Sequence, residues 1–197
     1  MSAFRFGTCT VPDGERGDWR ISTFEISADE ARFANLRAAI KGDRLAMVYP
    51  GTYKKLTHKR RGVIMSNTPM EIRTNREAFR AATGRVLVNG LGLGMLLEGI
   101  LSKPDVTFVR VIEIDADVIA LVGPHFARDP RVEVVHADAH AYAPPKGETP
   151  FDYAWHDIWD TISGDNLSSM AILGRKWNRR RALSSGFWVR DECRRLA

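Results

Sequence analysis

Two groups of residues carry the clearest chemical content. The first is Asn89-Gly90-Leu91-Gly92-Leu93-Gly94, which follows the apolar run Val86-Leu87-Val88 and precedes an apolar helical segment opening at Met95. Glycines between a strand and a helix permit a tight turn, and without Cβ atoms the backbone can approach a nucleotide-like ligand at the helix N-terminus. Such a turn also serves plain packing, so the loop alone leaves both readings open. A dinucleotide fingerprint needs Gly or Ala at the third position after Gly92, where Met95 stands, and no Gly-Lys-Ser/Thr follows for a phosphate-binding loop. The segment is GxGxG instead. The next apolar run ends in Val111-Ile112-Glu113-Ile114-Asp115, which sets the Glu113 carboxylate at the edge of a sheet beside the loop. An acid there can accept hydrogen bonds from two ribose hydroxyls.

The second group is His156-Asp157-Ile158-Trp159-Asp160, an imidazole, two carboxylates and an aromatic face within one short segment. Asp157 suits a proton acceptor, His156 its partner, and Trp159 a surface that stacks on a flat group or attracts a cation. The structural counterparts are a hydrogen-bonded strand-end histidine and core packing for Trp155 and Trp159. His125, His136 and His140 fall near the same edge, but their spacing matches no metal-binding pattern, and no metal is expected.

These groups need a scaffold. With 197 residues, 44% hydrophobic and 27% charged, the chain has the composition of one folded core, which excludes a disordered chain, a collagen-like repeat and a disulfide scaffold. Cys9 and Cys193 stand alone at opposite ends, without zinc or disulfide spacing. The longest apolar stretch, Leu91 to Leu101, is interrupted by Gly92, Gly94, Glu98 and Gly99 and is short of the ~20 residues that span a bilayer. Met1 to Val11 lacks an apolar core of signal-peptide length, and a cytoplasmic location is the expectation.

Short strand-like runs at Ile21 to Ile26, Leu45 to Tyr49, Thr52 to Leu56 and Gly62 to Met65 predict a small antiparallel lobe. The basic turn from Lys54 to Arg61 within it reads as a solvated hairpin, a gate over the site or a contact surface. One helix interrupts the lobe: Ser27 and Glu30 form a capping box, Phe33, Leu36, Arg37 and Ile40 recur at helical spacing, and Gly42 suits the left-handed stop. A second helix starts at Pro69 with Thr68 as N-cap and Glu71 completing a box, continues past Phe79 and ends by Gly84. From Arg85 onward, continuous apolar runs at Val86 to Val88, Phe108 to Ile112, Val132 to Val135 and Tyr153 to Trp155 alternate with helices near 94–102 and 116–126. Four buried parallel strands in an α/β domain are expected, with a final helix from Asn166 towards Arg181. The division is a lobe at 1–67, a sheet domain at 68–164 and a basic helical segment at 165–197 packed on the sheet.

The net charge is +5, and from Asp165 onward eight basic residues face three acidic ones, against 21 of each before it. Arg175, Lys176, Arg179, Arg180 and Arg181 accompany Trp177, and Phe187, Trp188, Arg190, Arg194 and Arg195 follow. Arginines interleaved with aromatics suit nucleic-acid binding or self-association. The reading preferred here has Trp177 and Trp188 covering the sheet edge and the arginines in water.

The run Val86 to Gly94, the Glu113 segment, His136-Ala137-Asp138-Ala139 and Phe151 to Asp157 together resemble the successive motifs of class I S-adenosylmethionine-dependent methyltransferases, in the branch similar to spermidine synthases. That resemblance covers Gly84 to Asp160. It implies a Rossmann-like methyltransferase sheet and S-adenosyl-L-methionine as cofactor, with S-adenosyl-L-homocysteine as product. Gly90, Gly92 and Gly94 would pack against the cofactor, Glu113 hold its ribose, Asp138 and Ala139 border its adenine, and Asp157 face the sulfonium, with Asn89, Leu91 and Ile114 as further cofactor contacts. Val88 stands where most methyltransferases carry an acid, as in the spermidine-synthase branch, and Asp157-x-x-Asp160 resembles the paired aspartates of aminopropyltransferases. Leu93 departs from that branch, where an aspartate faces the cofactor. The resemblance thus implies an enzyme that moves a methyl group to a small-molecule acceptor, with catalytic Asp157, His156 and Asp160. The alternatives are aminopropyl transfer and a non-catalytic protein that binds the cofactor or nucleic acid.

Overall fold

The computed structural model describes residues 6–43, 45–177 and 181–197. Strands β1 (Gly14–Arg16), β2 (Trp19–Ile26), β3 (Gly51–His58) and β4 (Gly62–Ser66) form an antiparallel sheet in chain order, with helix α1 (Ala28–Lys41) between β2 and β3. Helices α2 (Pro69–Thr74) and α3 (Arg76–Ala81) lead into the second sheet. There β5 (Gly84–Asn89), α4 (Met95–Leu101), β6 (Val106–Glu113), α5 (Ala116–Phe126), β7 (Val132–His136), β8 (Phe151–His156), α6 (Asn166–Lys176), β9 (Ala182–Phe187) and α7 (Arg190–Arg195) follow in order.

The second sheet is parallel and runs β7-β6-β5-β8-β9. From β5 the chain proceeds outward to β7 and then returns across the sheet to β8, so the winding reverses between β5 and β8. Crevices for ligands open beyond the carboxyl ends of strands at such a reversal in Rossmann-like sheets. Both central strands are buried on both faces, Val86, Leu87, Ala154 and Trp155 each being at most 1% exposed, which is why they read as continuous apolar runs.

The sheet has five strands where four were expected. Ala182-Leu183-Ser184-Ser185-Gly186-Phe187 is too polar to read as a buried strand, yet at the edge only one side needs apolar cover. The tail is therefore not wholly helical: α6 ends at Lys176, and the expected helix beyond it runs into residues 178–180, which include Arg179 and Arg180 and lie outside the described residues. Trp177 and Trp188 are buried, as is Phe187, while Arg175, Arg181, Arg194 and Arg195 are exposed. The tail thus presents cations to solvent but keeps these three rings from stacking on a nucleic acid.

Three further elements differ from expectation for local reasons. Leu45 to Tyr49 is not a strand, because side chains take its backbone groups: Asp43 Oδ1 accepts from the Leu45 amide at 3.0 Å, Arg73 donates to the Leu45 and Met47 carbonyls, and Asn35 bonds both N–H and C=O of Val48. The helix from Pro69 breaks into two at Asn75, whose side-chain amide donates to the Glu71 carbonyl at 3.2 Å. Thr68 makes no side-chain cap bond, and Glu71 is buried instead of reaching back to close a box. Helix α1 does form its capping box between Ser27 and Glu30 and stops at Gly42. Its spaced apolar residues face outward, however, with Ile40 78% exposed, while Ala31 and Ala38 make the buried contact.

The placement of β9 has a direct test. A Cβ on Gly186 would fall 2.8 Å from the Trp155 ring and against the Tyr153 hydroxyl, both on β8. Gly186→Val is expected to lower stability by about 1–3 kcal/mol through overpacking, read as a shifted midpoint in urea denaturation. An unchanged midpoint would remove β9 from the sheet.

Candidate active site

The reversal between β5 and β8 is stitched shut at its floor. Asn89 and His156 are register partners at the two strand ends, both fully buried, with Asn89 Nδ2 and His156 Nδ1 2.7 Å apart. The Asp157 amide donates to the Asn89 carbonyl at 2.9 Å. The segments that follow, 90–92 and 157–160, consequently open into one cleft of about 440 Å³. Gly90 has φ of 98°, and a Cβ there would meet the Asp157 carbonyl oxygen, so this turn admits glycine for close approach of the two strands' exits.

One wall is fixed by Glu113. Its Oε2 accepts from the Leu91 amide at 2.8 Å and its Oε1 from the Asp115 amide at 2.9 Å, with the side chain only slightly accessible from the cleft. A carboxylate has about four lone-pair positions, so roughly two stay free for a ligand's hydroxyls. Asp115 in turn caps α5, its Oδ1 accepting from the Asp117 and Val118 amides, and its Oδ2 accepts from Trp19 Nε1 at 2.8 Å. The Arg61 guanidinium lies 4.9 Å over the Trp19 ring and donates to Asp160 Oδ2 at 2.7 Å. The antiparallel lobe therefore contributes Trp19 and Arg61 to the cleft wall, and Arg61 ties it to the loop after β8.

The opposite end is shaped by the segment after β7. Asp138 Oδ1 accepts from the His140 amide at 2.8 Å, and Lys176 of α6 donates to the Ala139 and His140 carbonyls at 3.1 and 2.7 Å. His125, His136 and His140 go to separate partners, Thr10, the Ile114 carbonyl and Ser169, and among the described residues no group of three potential ligands is placed to hold a metal.

Of the residues singled out from sequence, Gly90, Leu91, Gly92, Glu113, Ile114, Asp138, Ala139, Asp157 and Asp160 line this cleft. Asn89, Gly94 and His156 lie behind it. Gly94 is the N-cap of α4 and has the Phe126 ring where a Cβ would stand, and Leu93 is fully buried in the core. Trp155 is buried core, whereas Trp159 borders the cleft. Sequence reasoning missed Trp19, Met65, Glu71 and Trp188, which come from the first lobe, α2 and the tail. Glu71 carried a signal, but one that read as a helix cap.

Burial separates the titratable groups. His156 is pushed down to about 3, by desolvation first and then by the charge of His140, so it stays neutral. Burial raises Glu71 to about 7 against the opposing hydrogen bonds of Thr74 and Trp188. Asp157 is held well above the usual carboxylate range by burial and next by the neighbouring Glu71 charge, while the Trp155 and Asn75 side chains act in the opposite sense.

A buried neutral histidine makes stability pH-dependent with a definite sign. The unfolded chain binds the His156 proton near its ordinary pKa of about 6.5, the folded chain only near 3, so this contribution is lost as pH falls between those values. His156→Gln should remove that part of the acid loss, whose slope approaches about 1.4 kcal/mol per pH unit. Denaturation midpoints of both proteins across the acid range check this; parallel curves would show that His156 is not the buried neutral group.

No family model matches the chain. It is 33% identical over 84 residues to polyamine aminopropyltransferase 2 of Caldanaerobacter subterraneus subsp. tengcongensis, a match covering 41% of this chain and 28% of that protein. The chain therefore spans little more than a quarter of the curated relative's length. Among solved structures it is similar to the 23S rRNA methyltransferase ErmE (22% identity, 58% of this chain and 44% of that one, TM-score 0.44). A spermidine synthase from Thermotoga maritima overlaps 62% of this chain and 49% of its own (20% identity, TM-score 0.39). The methyltransferase PaMTH1 of Podospora anserina, bound to SAH, overlaps 57% and 48% (16% identity, TM-score 0.41). These overlaps are partial, and the Rossmann-like assignment rests on the strand order itself.

Proposed function

We propose that this chain is an enzyme that binds S-adenosyl-L-methionine and transfers its methyl group to a small acceptor, releasing S-adenosyl-L-homocysteine. The observation that carries the reading is the position of Glu113: a buried carboxylate at the carboxyl edge of β6, already held by two backbone amides, with acceptor capacity turned to the cleft at the winding reversal. Ile114, Asp138 and Ala139 line the same cleft, which supports the reading that they border the bound cofactor.

The bound cofactor supplies a carbon activated by a positive sulfur, so the protein's work is positioning and proton acceptance. Glu113 orients the ribose end. Asp157, beside the Gly90 turn, lines the cleft and in its ionised form takes the acceptor's proton. Trp159 offers an aromatic face to the same space. The Arg61–Asp160 pair and the Trp19 ring close the mouth and limit water. His156 positions Asp157 through Asn89 and the strand ends without entering the cleft.

Aminopropyl transfer is the second reading, supported by the Asp157-x-x-Asp160 spacing and by the aminopropyltransferase relative. It differs in requiring decarboxylated cofactor and a polyamine.

Calorimetric titration with S-adenosyl-L-homocysteine, S-adenosyl-L-methionine and NAD tests the cofactor. The first two are expected to bind, NAD not, and Glu113→Ala should weaken binding about tenfold or more by removing the ribose acceptor and freeing the Leu91 amide. Well-folded protein that binds neither cofactor form would end the proposal.

A further inference from the structure

Helix α1 has two apolar faces, and the fold buries only the smaller. At about 100° per residue, Ala31 and Ala38 fall on one side of the helix, and Phe33, Leu36 and Ile40 lie within about 60° of one another on the other. The alanines are 3% and 4% exposed, whereas Phe33, Leu36 and Ile40 are 57%, 59% and 78% exposed. An amphipathic helix ordinarily turns its large apolar residues inward, so the order here is inverted. Asn35 ties α1 to its own lobe by bonding both backbone groups of Val48, and among the described residues no member of α1 joins the main apolar core.

A helix of 14 residues is near the ~12–15 at which an isolated helix is marginal in water, and most helices gain their stability by packing an apolar face. The capping box and the Gly42 stop fix the ends of α1 and leave its outer stripe without cover. Three large side chains in one row, on an element outside the core, have the character of a contact surface.

Charge selects what fits that surface. Asp29 and Glu30 stand in the first turn of α1, and Arg37 and Lys41 towards its end. Among the described residues Asp29, Arg37 and Lys41 enter no ion pair, and Glu30 uses its Oε2 on Ser27. Glu30 and Arg37 lie on one flank of the stripe, and Arg32, 5.7 Å over the Phe33 ring, on the other. Laid antiparallel on a second copy, Phe33 meets the partner's Leu36, Glu30 lies beside the partner's Arg37, and Asp29 beside the partner's Lys41. Every such contact occurs twice about the twofold axis, and the helix dipoles oppose one another. A parallel pair would instead set Arg37 beside the partner's Arg32, like charge against like. With three cations and two acids, α1 also lacks the polybasic face of a helix that lies on an anionic membrane.

We infer that the outer face of α1 binds a second copy of this chain, as an antiparallel helix pair whose twofold axis passes between Phe33 and Leu36. No residue of α1 lines the cleft, so this surface is separate from the cofactor reading. One helix pair falls below the roughly 1,200 Å² of a standard interface, and association in the micromolar range follows.

Sedimentation equilibrium of the full chain between about 1 and 300 µM tests this. The wild type should pass from the mass of one chain towards that of two. Leu36→Glu changes an exposed position and should keep the wild-type circular dichroism, yet raise the dissociation constant about tenfold or more. Arg37→Glu sets an acid beside the partner's Glu30 and should weaken the dimer about tenfold, whereas in a parallel pair it would meet the partner's Arg32 and tighten it. The wild-type mass and Arg37→Glu decide the matter even if Leu36→Glu folds poorly. A wild type that keeps the mass of one chain at about 300 µM, whether or not it co-sediments with phosphatidylglycerol vesicles, would overturn the inference. So would a dimer that Leu36→Glu leaves intact, or one that Arg37→Glu leaves unchanged or strengthens.

Discussion

The carboxylate of Glu113 sits between two amides that the chain separates widely, those of Leu91 in the glycine loop and Asp115 at the head of α5. Each bond uses a donor that the fold leaves over, since neither loop residue belongs to a strand ladder and helix N-termini expose unpaired N–H groups. The single side chain thereby fixes the exits of β5 and β6 relative to each other. Asp115, so placed, caps α5 and receives Trp19 from the first lobe, Trp19 carries Arg61, and Arg61 reaches Asp160 beyond β8. The cleft is bounded by this chain of contacts, and its shape depends on the first link.

The two faces of the charge distribution have separate physical causes. Basic residues of the tail are in water, where their hydration is retained, and the rings beside them complete the edge of the sheet. Acidic residues converge on the cleft because strand and helix ends that close on the reversal provide amide donors for carboxylates. Glu71 is the exception, buried in the cleft wall so that desolvation raises its proton affinity, and Asp157, half-buried, is raised by desolvation and by the neighbouring Glu71 charge. Within one compact cleft, the acids thus differ in how far amide donors satisfy them, from Glu113 with two to Glu71 with none from the backbone in the bonds seen.

The tail has the structural role that its tryptophans suggested. β9 extends the sheet past β8, α6 reaches back so that Lys176 holds the carbonyls of Ala139 and His140, and Trp188 joins the wall that includes Glu71. The basic segment thereby supports both ends of the cleft as well as the sheet edge.

The sequence by itself determined the elements whose residues act locally. The glycine turn after a short apolar strand, the Ser27–Glu30 box, the apolar runs of β5 to β8 and the carboxylate closing β6 are written in neighbouring residues, because sterics, capping and burial on both faces act over a few positions. The residues of the cleft that follow those strands, Gly90, Glu113, Asp138 and Asp157, were legible for the same reason. Tertiary structure alone decided what depends on distant partners. β9 is a strand only because β8 offers it a ladder, and Leu45 to Tyr49 is none because Asn35, Asp43 and Arg73 satisfy its backbone first. His156 left the candidate set through its bond to Asn89, 67 residues away, and Glu71 entered it when α2 turned its carboxyl toward the cleft. Spacing in a chain records what a residue can do with its neighbours; burial and charge, which set whether it acts as architecture or as an acid, are properties of the assembled surroundings.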